Sequence, residues 1–88
     1  MRWTREGLRA DLIKLFQEQA QPDTRVTEAS HLVADLGIDS LGVMELVADI
    51  EDRFDVKIPD ELLREVNTVA DVAAALETRL EGDGRLEG

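Results

Sequence analysis

The chain has no cysteine and no tyrosine, one tryptophan, one histidine, two phenylalanines and two prolines among its 88 residues. Without cysteine there is no disulfide staple, no thiolate zinc site and no cysteine nucleophile, so helix packing has to supply the stability. The same absence fits residence in the cytoplasm. His31, the single histidine, has no cysteine with which to form a metal site or a Cys/His dyad, and it reads as a loop residue. No apolar run approaches the length of a membrane-spanning helix, and MRWTREGLRADL at the N-terminus lacks the uninterrupted apolar core of a signal peptide. A soluble, unprocessed protein is expected. Positive charge is scarce as well: ten Lys and Arg stand against twenty Asp and Glu, a net charge of −10. Nucleic acid and anionic membrane surfaces would repel such a chain, and basic protein partners suit it. A chain this short buries only a modest share of its surface, which argues against a deep enzyme cleft.

What is present is helical periodicity and concentrated acid. Residues 1–38 are nearly balanced in charge, whereas from Asp39 to Glu65 nine acids face only Arg53, Lys57 and Arg64. Thr4 caps a first helix with Glu6 in its first turn, and Leu8, Leu12, Leu15 and Phe16 recur on one face up to about Gln19 or Ala20. Gln21 to Asp35 reads as a long polar loop, with one helical turn at most, pinned by Val26, Leu32 and Val33. Gly37 permits a positive φ just before a second helix over Ser40–Phe54. Asp55 and Val56 break that pattern. Pro59 stands at or near the first position of a short third helix reaching Val66, with Leu62, Leu63 and Val66 inward. Thr68 and Asp71 form a capping-box start to a fourth helix, whose Val69, Val72, Ala73, Leu76 and Leu80 share a face. Trp3 is placed at the bundle edge. The glycine-rich stretch 81–88 is expected to be a disordered tail, leaving 1–80 as one domain. The fold class is therefore all-α: a four-helix bundle of three longer helices and one short one, with a long loop between the first two.

The second helix carries most of the functional signal. At about 100° per residue, Val43, Leu46, Val47, Ile50 and Phe54 fall on a core face. Opposite them, Glu45, Asp49 and Asp52 surround a narrow apolar strip of Leu41, Met44 and Ala48, with Glu51 at its edge. Ser40 lies at the helix mouth, where free backbone amides and the macrodipole favour a phosphate or another anion. Taken alone, a serine there is more simply a helix cap. The carboxylates are spaced as a solvated face rather than as a catalytic pair with separated pKa values, and Asp35 to Ser40 lacks the offsets of a calcium loop. Neither catalytic residues nor a metal site are expected.

Gly37-Ile38-Asp39-Ser40-Leu41 resembles the Gly-x-Asp-Ser-Leu turn that heads helix two in the acyl carrier protein family. The resemblance extends through Glu45-Leu46-Val47, Phe54, Ile58-Pro59-Asp60-Glu61 and Thr68-Val69, and covers residues 8 to 80 at the family's spacing. It implies that a phosphopantetheinyl transferase attaches 4′-phosphopantetheine from coenzyme A to Ser40, whose new thiol carries acyl groups as thioesters between synthase enzymes. It further implies that Asp39, Leu41, Met44, Glu45, Asp49, Glu51, Asp52 and Asp60 form a docking surface for basic patches on those enzymes. Leu46, Ile50, Phe54, Ile58, Leu63 and Val66 match positions that surround a sequestered acyl chain in similar carriers. Gly42 stands where carriers of bacterial fatty acid synthesis commonly have an acid, and Lys57, Leu62 and Arg64 reduce the acidity of the third-helix region. Fatty acid and polyketide-type synthesis both stay open. The competing expectation is a small acidic adaptor that binds a basic protein and uses Ser40 only as a helix cap. In either case a monomer is expected.

Overall fold

The hydroxyl of Thr4 accepts the amide of Gly7 at 3.0 Å and starts helix α1 (Arg5–Gln19), which buries Leu8, Leu12, Leu15 and Phe16. The structure, a computed structural model, describes residues 3–87, and of Ser40 the backbone alone; Arg2 and Gly88, to which the sequence gives a charge and the tail's end, lie outside the described residues. Helix α1 closes where the amide of Ala20 bonds to the carbonyl of Phe16 and the chain turns extended.

The long loop after α1 is held by polar bonds more than by apolar pins. Gln17 on α1 reaches across to it, its amide nitrogen donating to the carbonyl of Thr24 at 2.6 Å and its oxygen accepting the amide of Val26 at 3.0 Å. Val26 and Leu32 are buried, but Val33, expected as a third pin, is 61% exposed. The reason is the tight turn that holds it: the amides of Asp35 and Leu36 donate to the carbonyl of His31, and that of Gly37 to the carbonyl of Val33. The rest of the loop leans on the start of the fourth helix, through Leu32 N–H to Asn67 O (2.8 Å), Val69 N–H to Ser30 O (3.0 Å) and Ala70 N–H to Glu28 O (2.9 Å). The amides of the buried Val26, Ser30 and Leu32 are thus paired without a helix or strand of the loop's own.

Helix α2 (Ser40–Phe54) follows the expected range and turns Leu46, Ile50 and Phe54 fully inward, with Val43 and Val47 half-buried. It ends on Asp55, which adopts the left-handed conformation at φ 53°. Helix α3 is shorter than expected, Asp60–Leu63, with Pro59 outside it as the N-cap. The amide of Leu62 bonds to Pro59 O and that of Val66 to Leu63 O, both across three residues, so the segment tightens into 3₁₀-like turns and does not sustain an α-helix to Val66. Leu62, Leu63 and Val66 are half-buried against the core. Helix α4 (Val69–Gly82) opens on the capping box of Thr68 and Asp71.

The terminal segments depart most from expectation. Trp3–Thr4 (β1) and Leu86–Glu87 (β2) pair in parallel, Trp3 opposite Leu86 and Thr4 opposite Glu87. Of the stretch 81–88 read as a tail, Glu81 and Gly82 form the end of α4 and Leu86–Glu87 the second strand of this pairing. Arg85 fixes them, donating to the carbonyls of Phe54 at 2.6 Å and Asp55 at 2.5 Å, while its own amide bonds to Leu80 O at 2.8 Å. Apart from this small pairing and an isolated bridge between His31 and Thr68, the regular structure of the described residues is helical. One core joins all four helices, centred on Leu8, Leu12, Phe16, Ile50, Phe54, Leu76 and Leu80.

Candidate functional site

The turn that leads into α2 is built residue by residue. The carbonyl of Leu32 accepts the amide of Ile38 at 2.9 Å, which ties the turn to the long loop. Gly37 takes φ 67°, as expected of a glycine there. Asp39 is extended, and its carboxylate accepts the amide of Gly42 at 2.7 Å while its carbonyl accepts that of Val43 at 2.9 Å. Asp39, not Ser40, is therefore the N-cap, and Ser40 is the first helical residue. This overturns the reading in which Ser40 serves only as the cap. The physical reason is positional, since a capping side chain must sit one residue outside the helix to reach the amides of its first turn. Gly42 matters sterically: a Cβ there would stand 2.9 Å from Ile38 Cγ2 and 3.2 Å from Asp39 Oδ1, so a side chain would press on both residues that hold the turn.

His31 supports the same turn from behind. Its Nδ1 accepts the amides of Val33 and Ala34 at 3.3 and 3.1 Å, and its own amide donates to the Asp35 carboxylate at 2.7 Å. The expected loop histidine is thus a structural one, and periodicity carries no signal that would find its capping role. Beside the turn, Gln19 and Gln21 at the end of α1 face Ile38, Asp39, Gly42 and Glu45 across a groove of about 250 Å³.

The outer face of α2 is arranged much as its periodicity requires. Leu41 and Met44 are 66% and 71% exposed, and Glu45, Asp49 and Asp52 are exposed with them, as is Asp60 at the start of α3. Two of the proposed docking acids have internal duties. Asp39 holds the cap, and Glu51 is half-buried, its carboxylate accepting the amide of Ile58 at 2.8 Å and so fastening the α2–α3 connection. The edge position of Glu51 on the helical wheel was the available sign. Leu46, Ile50, Phe54 and Ile58 are buried together in the core, with Leu63 and Val66 half-buried at its margin. A larger cavity, about 570 Å³, lies elsewhere, between the C-terminal half of α2 and the end of α4, and mixes Glu51, Asp52, Asp55 and Asp83 with Lys57 and Arg79.

The most buried charge was not foreseen. Glu77 on α4 is 7% exposed and receives Arg9 Nε at 2.8 Å, Arg9 Nη2 at 3.1 Å and Arg5 Nη1 at 3.2 Å. Arg9 also meets Glu28 of the loop, and Arg5 meets Glu81, so α1, α4 and the loop share one ionic cluster. Hydrogen bonds from Arg9 to Glu77 and Glu28 push its pKa still higher, keeping the guanidinium charged. The backbone amides of Asn67 and Thr68 hold the Asp71 carboxyl below its ordinary value. On the far side Arg53 makes a two-point contact with Asp11, at 3.1 and 3.0 Å, and joins α2 to α1. No group of three or more potential metal-binding side chains occurs among the described residues.

The head of α2 fits a phosphodiester. A hydroxyl-bearing residue occupies the first helical position, the early amides of an α-helix have no intrahelical acceptor, and the positive end of the dipole lies there. Asp39 spends its carboxylate on Gly42, and Gly42 adds no side chain to crowd the mouth. The family described as "phosphopantetheine attachment site" matches residues 10–76. An acyl carrier protein from an Exiguobacterium species is 41% identical over 78 residues, spanning 88% of this chain and 99% of that protein. One from Thermotoga maritima is 36% identical over 78 residues, spanning 88% and 96%. A crystal structure of an acyl carrier protein from Thermotoga maritima superposes with a TM-score of 0.72 at 30% identity, covering 90% of this chain and 93% of that one.

Proposed function

Since this chain belongs to the acyl carrier protein family and carries 4′-phosphopantetheine covalently, we propose that Ser40 is the attachment residue. The observation that supports it is the position of Ser40 as first residue of α2, in the Gly37–Leu41 turn, with Asp39 doing the capping. The serine hydroxyl displaces adenosine 3′,5′-bisphosphate from coenzyme A, forming a serine–phosphate bond as the pyrophosphate bond breaks and the hydroxyl proton leaves. The attached group supplies a thiol that carries acyl chains as thioesters. What the chain itself contributes is binding and presentation: a helix end suited to the phosphate, and a rigid cap that holds Ser40 in register. Catalysis belongs to the partners.

The phosphopantetheinyl transferase and the acyl-processing synthases dock on the outer face of α2 and the start of α3. Leu41 and Met44 provide exposed apolar contact, and Glu45, Asp49, Asp52 and Asp60 supply charge that steers basic patches. Asp39 and Glu51 add to that field while keeping their internal bonds. The acyl chain enters between Leu46, Ile50, Phe54, Ile58, Leu63 and Val66. The pathway is fatty acid or polyketide-type synthesis, and the protein works as a cytoplasmic monomer.

Incubation with coenzyme A, Mg²⁺ and a broad-specificity phosphopantetheinyl transferase, followed by intact mass measurement, tests the assignment. One phosphopantetheine adduct is expected, absent from Ser40→Ala. An adduct that survives the substitution would place attachment elsewhere.

A further inference from the structure

We propose that Trp3 and Arg85 form the floor of the acyl chamber and set the length of chain it can hold. The inference rests on the chamber residues just assigned, and concerns the end remote from Ser40. Ser40 and Phe54 are the first and last residues of α2, so at about 1.5 Å per residue they stand roughly 21 Å apart. A chain entering near the head of α2 and running along its inner face meets Phe54 last.

Phe54 is fully buried, and Trp3 packs against its ring, with the ring centroids 4.7 Å apart and tilted by 57°. Deepening the chamber therefore requires Phe54 and Trp3 to move together. Trp3 is not free to do so. Its amide donates to Arg85 O at 2.7 Å, and it pairs with Leu86 in the β1–β2 ribbon. The guanidinium of Arg85 in turn grips the carbonyls of Phe54 and Asp55, which have no intrahelical donors at a helix C-terminus and favour a cation. One residue thus locks the end of α2, the strand carrying Trp3 and, through its amide to Leu80, the end of α4. A solubility or linker role for residues 83–87 would require none of these bonds.

Trp3 is the only tryptophan and there is no tyrosine, so its emission reports the floor directly. Acyl-phosphopantetheine of stepped length, from acetyl to palmitoyl, is loaded onto the full chain from the corresponding acyl-coenzyme A, with mass spectrometry verifying Ser40 occupancy. Thioester cleavage by hydroxylamine is then timed for each length. The wild type is expected to protect chains up to a threshold and to show a shift in Trp3 emission only as that threshold is reached. Arg85→Ala and Trp3→Ala should move the threshold to longer chains, with several-fold slower cleavage of the longest. Arg53→Ala, which breaks the α1–α2 pair with Asp11 at a different place, should leave it unchanged. A threshold identical in all variants, or shifted equally by Arg53→Ala, overturns the floor, as does Trp3 emission indifferent to chain length. Protection independent of length in the wild type overturns the chamber assignment itself, and the floor with it. Should Trp3→Ala not fold, the Arg85→Ala threshold and wild-type emission decide the matter.

Discussion

The carboxylate of Asp39 and the amide of Gly42 meet at 2.7 Å across the head of α2, one residue before and two residues after Ser40. That bond separates two tasks that a serine at a helix mouth is usually assumed to combine. Asp39 closes the helix, and Ser40, one residue inside, is left out of the cap bond.

In the apo protein, Asp39→Ala should therefore cost about 1 kcal/mol, and Asp39→Asn much less, because an asparagine oxygen can still accept the amide. Ser40→Ala should change stability by no more than about 0.5 kcal/mol. Urea unfolding measures all three. A loss confined to Ser40→Ala would return the cap to the serine.

The acids of α2 divide in the same way. Glu51 secures the amide of Ile58 in a half-buried setting, so Glu51→Ala should destabilise by about 1–3 kcal/mol. Glu45 is exposed, and Glu45→Gln should leave stability within about 0.5 kcal/mol while lowering the kcat/KM of the transferase several-fold at low salt. The kinetic loss should shrink as salt is added, since it arises from steering. A salt-independent loss would contradict steering.

Glu77 is the buried anion of the ionic cluster, and its removal leaves Arg5 and Arg9 facing each other without it. Both arginines keep partial access to water, at 46% and 34% of side-chain surface, which moderates the penalty. Glu77→Ala should cost about 2–3 kcal/mol, toward or below the low end for breaking a buried pair. Thermal melts of Glu77→Ala beside Glu81→Ala give the comparison, the exposed Glu81 site losing less than about 1 kcal/mol.

Asp71 links α4 to pH. Its carboxyl is held below its ordinary value by the amides of Asn67 and Thr68, so its stabilising effect is complete above the unfolded-state pKa and is lost as pH falls through the lower folded value. Acid should thus loosen the start of α4 and, with it, the loop bonds made to Asn67 and Val69. The melting temperature of Asp71→Asn should fall less steeply than that of the wild type between neutral and strongly acidic pH. Parallel curves would remove Asp71 from the acid transition.

Local spacing carried a great deal. The limits of α1 and α2, the capping box at Thr68, the inward set Leu46, Ile50 and Phe54, and the exposed Leu41 and Met44 all depend on residues within one or two helical turns of each other. Helical periodicity and capping chemistry act at that range, so these features were legible. The Gly37–Leu41 turn was legible for the same reason, whereas the capping of α2 by Asp39 rather than Ser40 became visible only in the backbone geometry.

The sequence by itself determined a four-helix carrier with a serine at the mouth of an acidic helix, because each of those properties is written in short-range pattern. Only the tertiary structure decided which acids hold the fold and which stay exposed, why Val33 is kept out of the core, and how the segments near either terminus pair. Glu77 finds Arg9 across 68 residues, Arg85 finds Phe54 across 31, and Trp3 pairs with Leu86. Such bonds arise from burial and unsatisfied helix-end groups brought together by packing, and no local spacing encodes them.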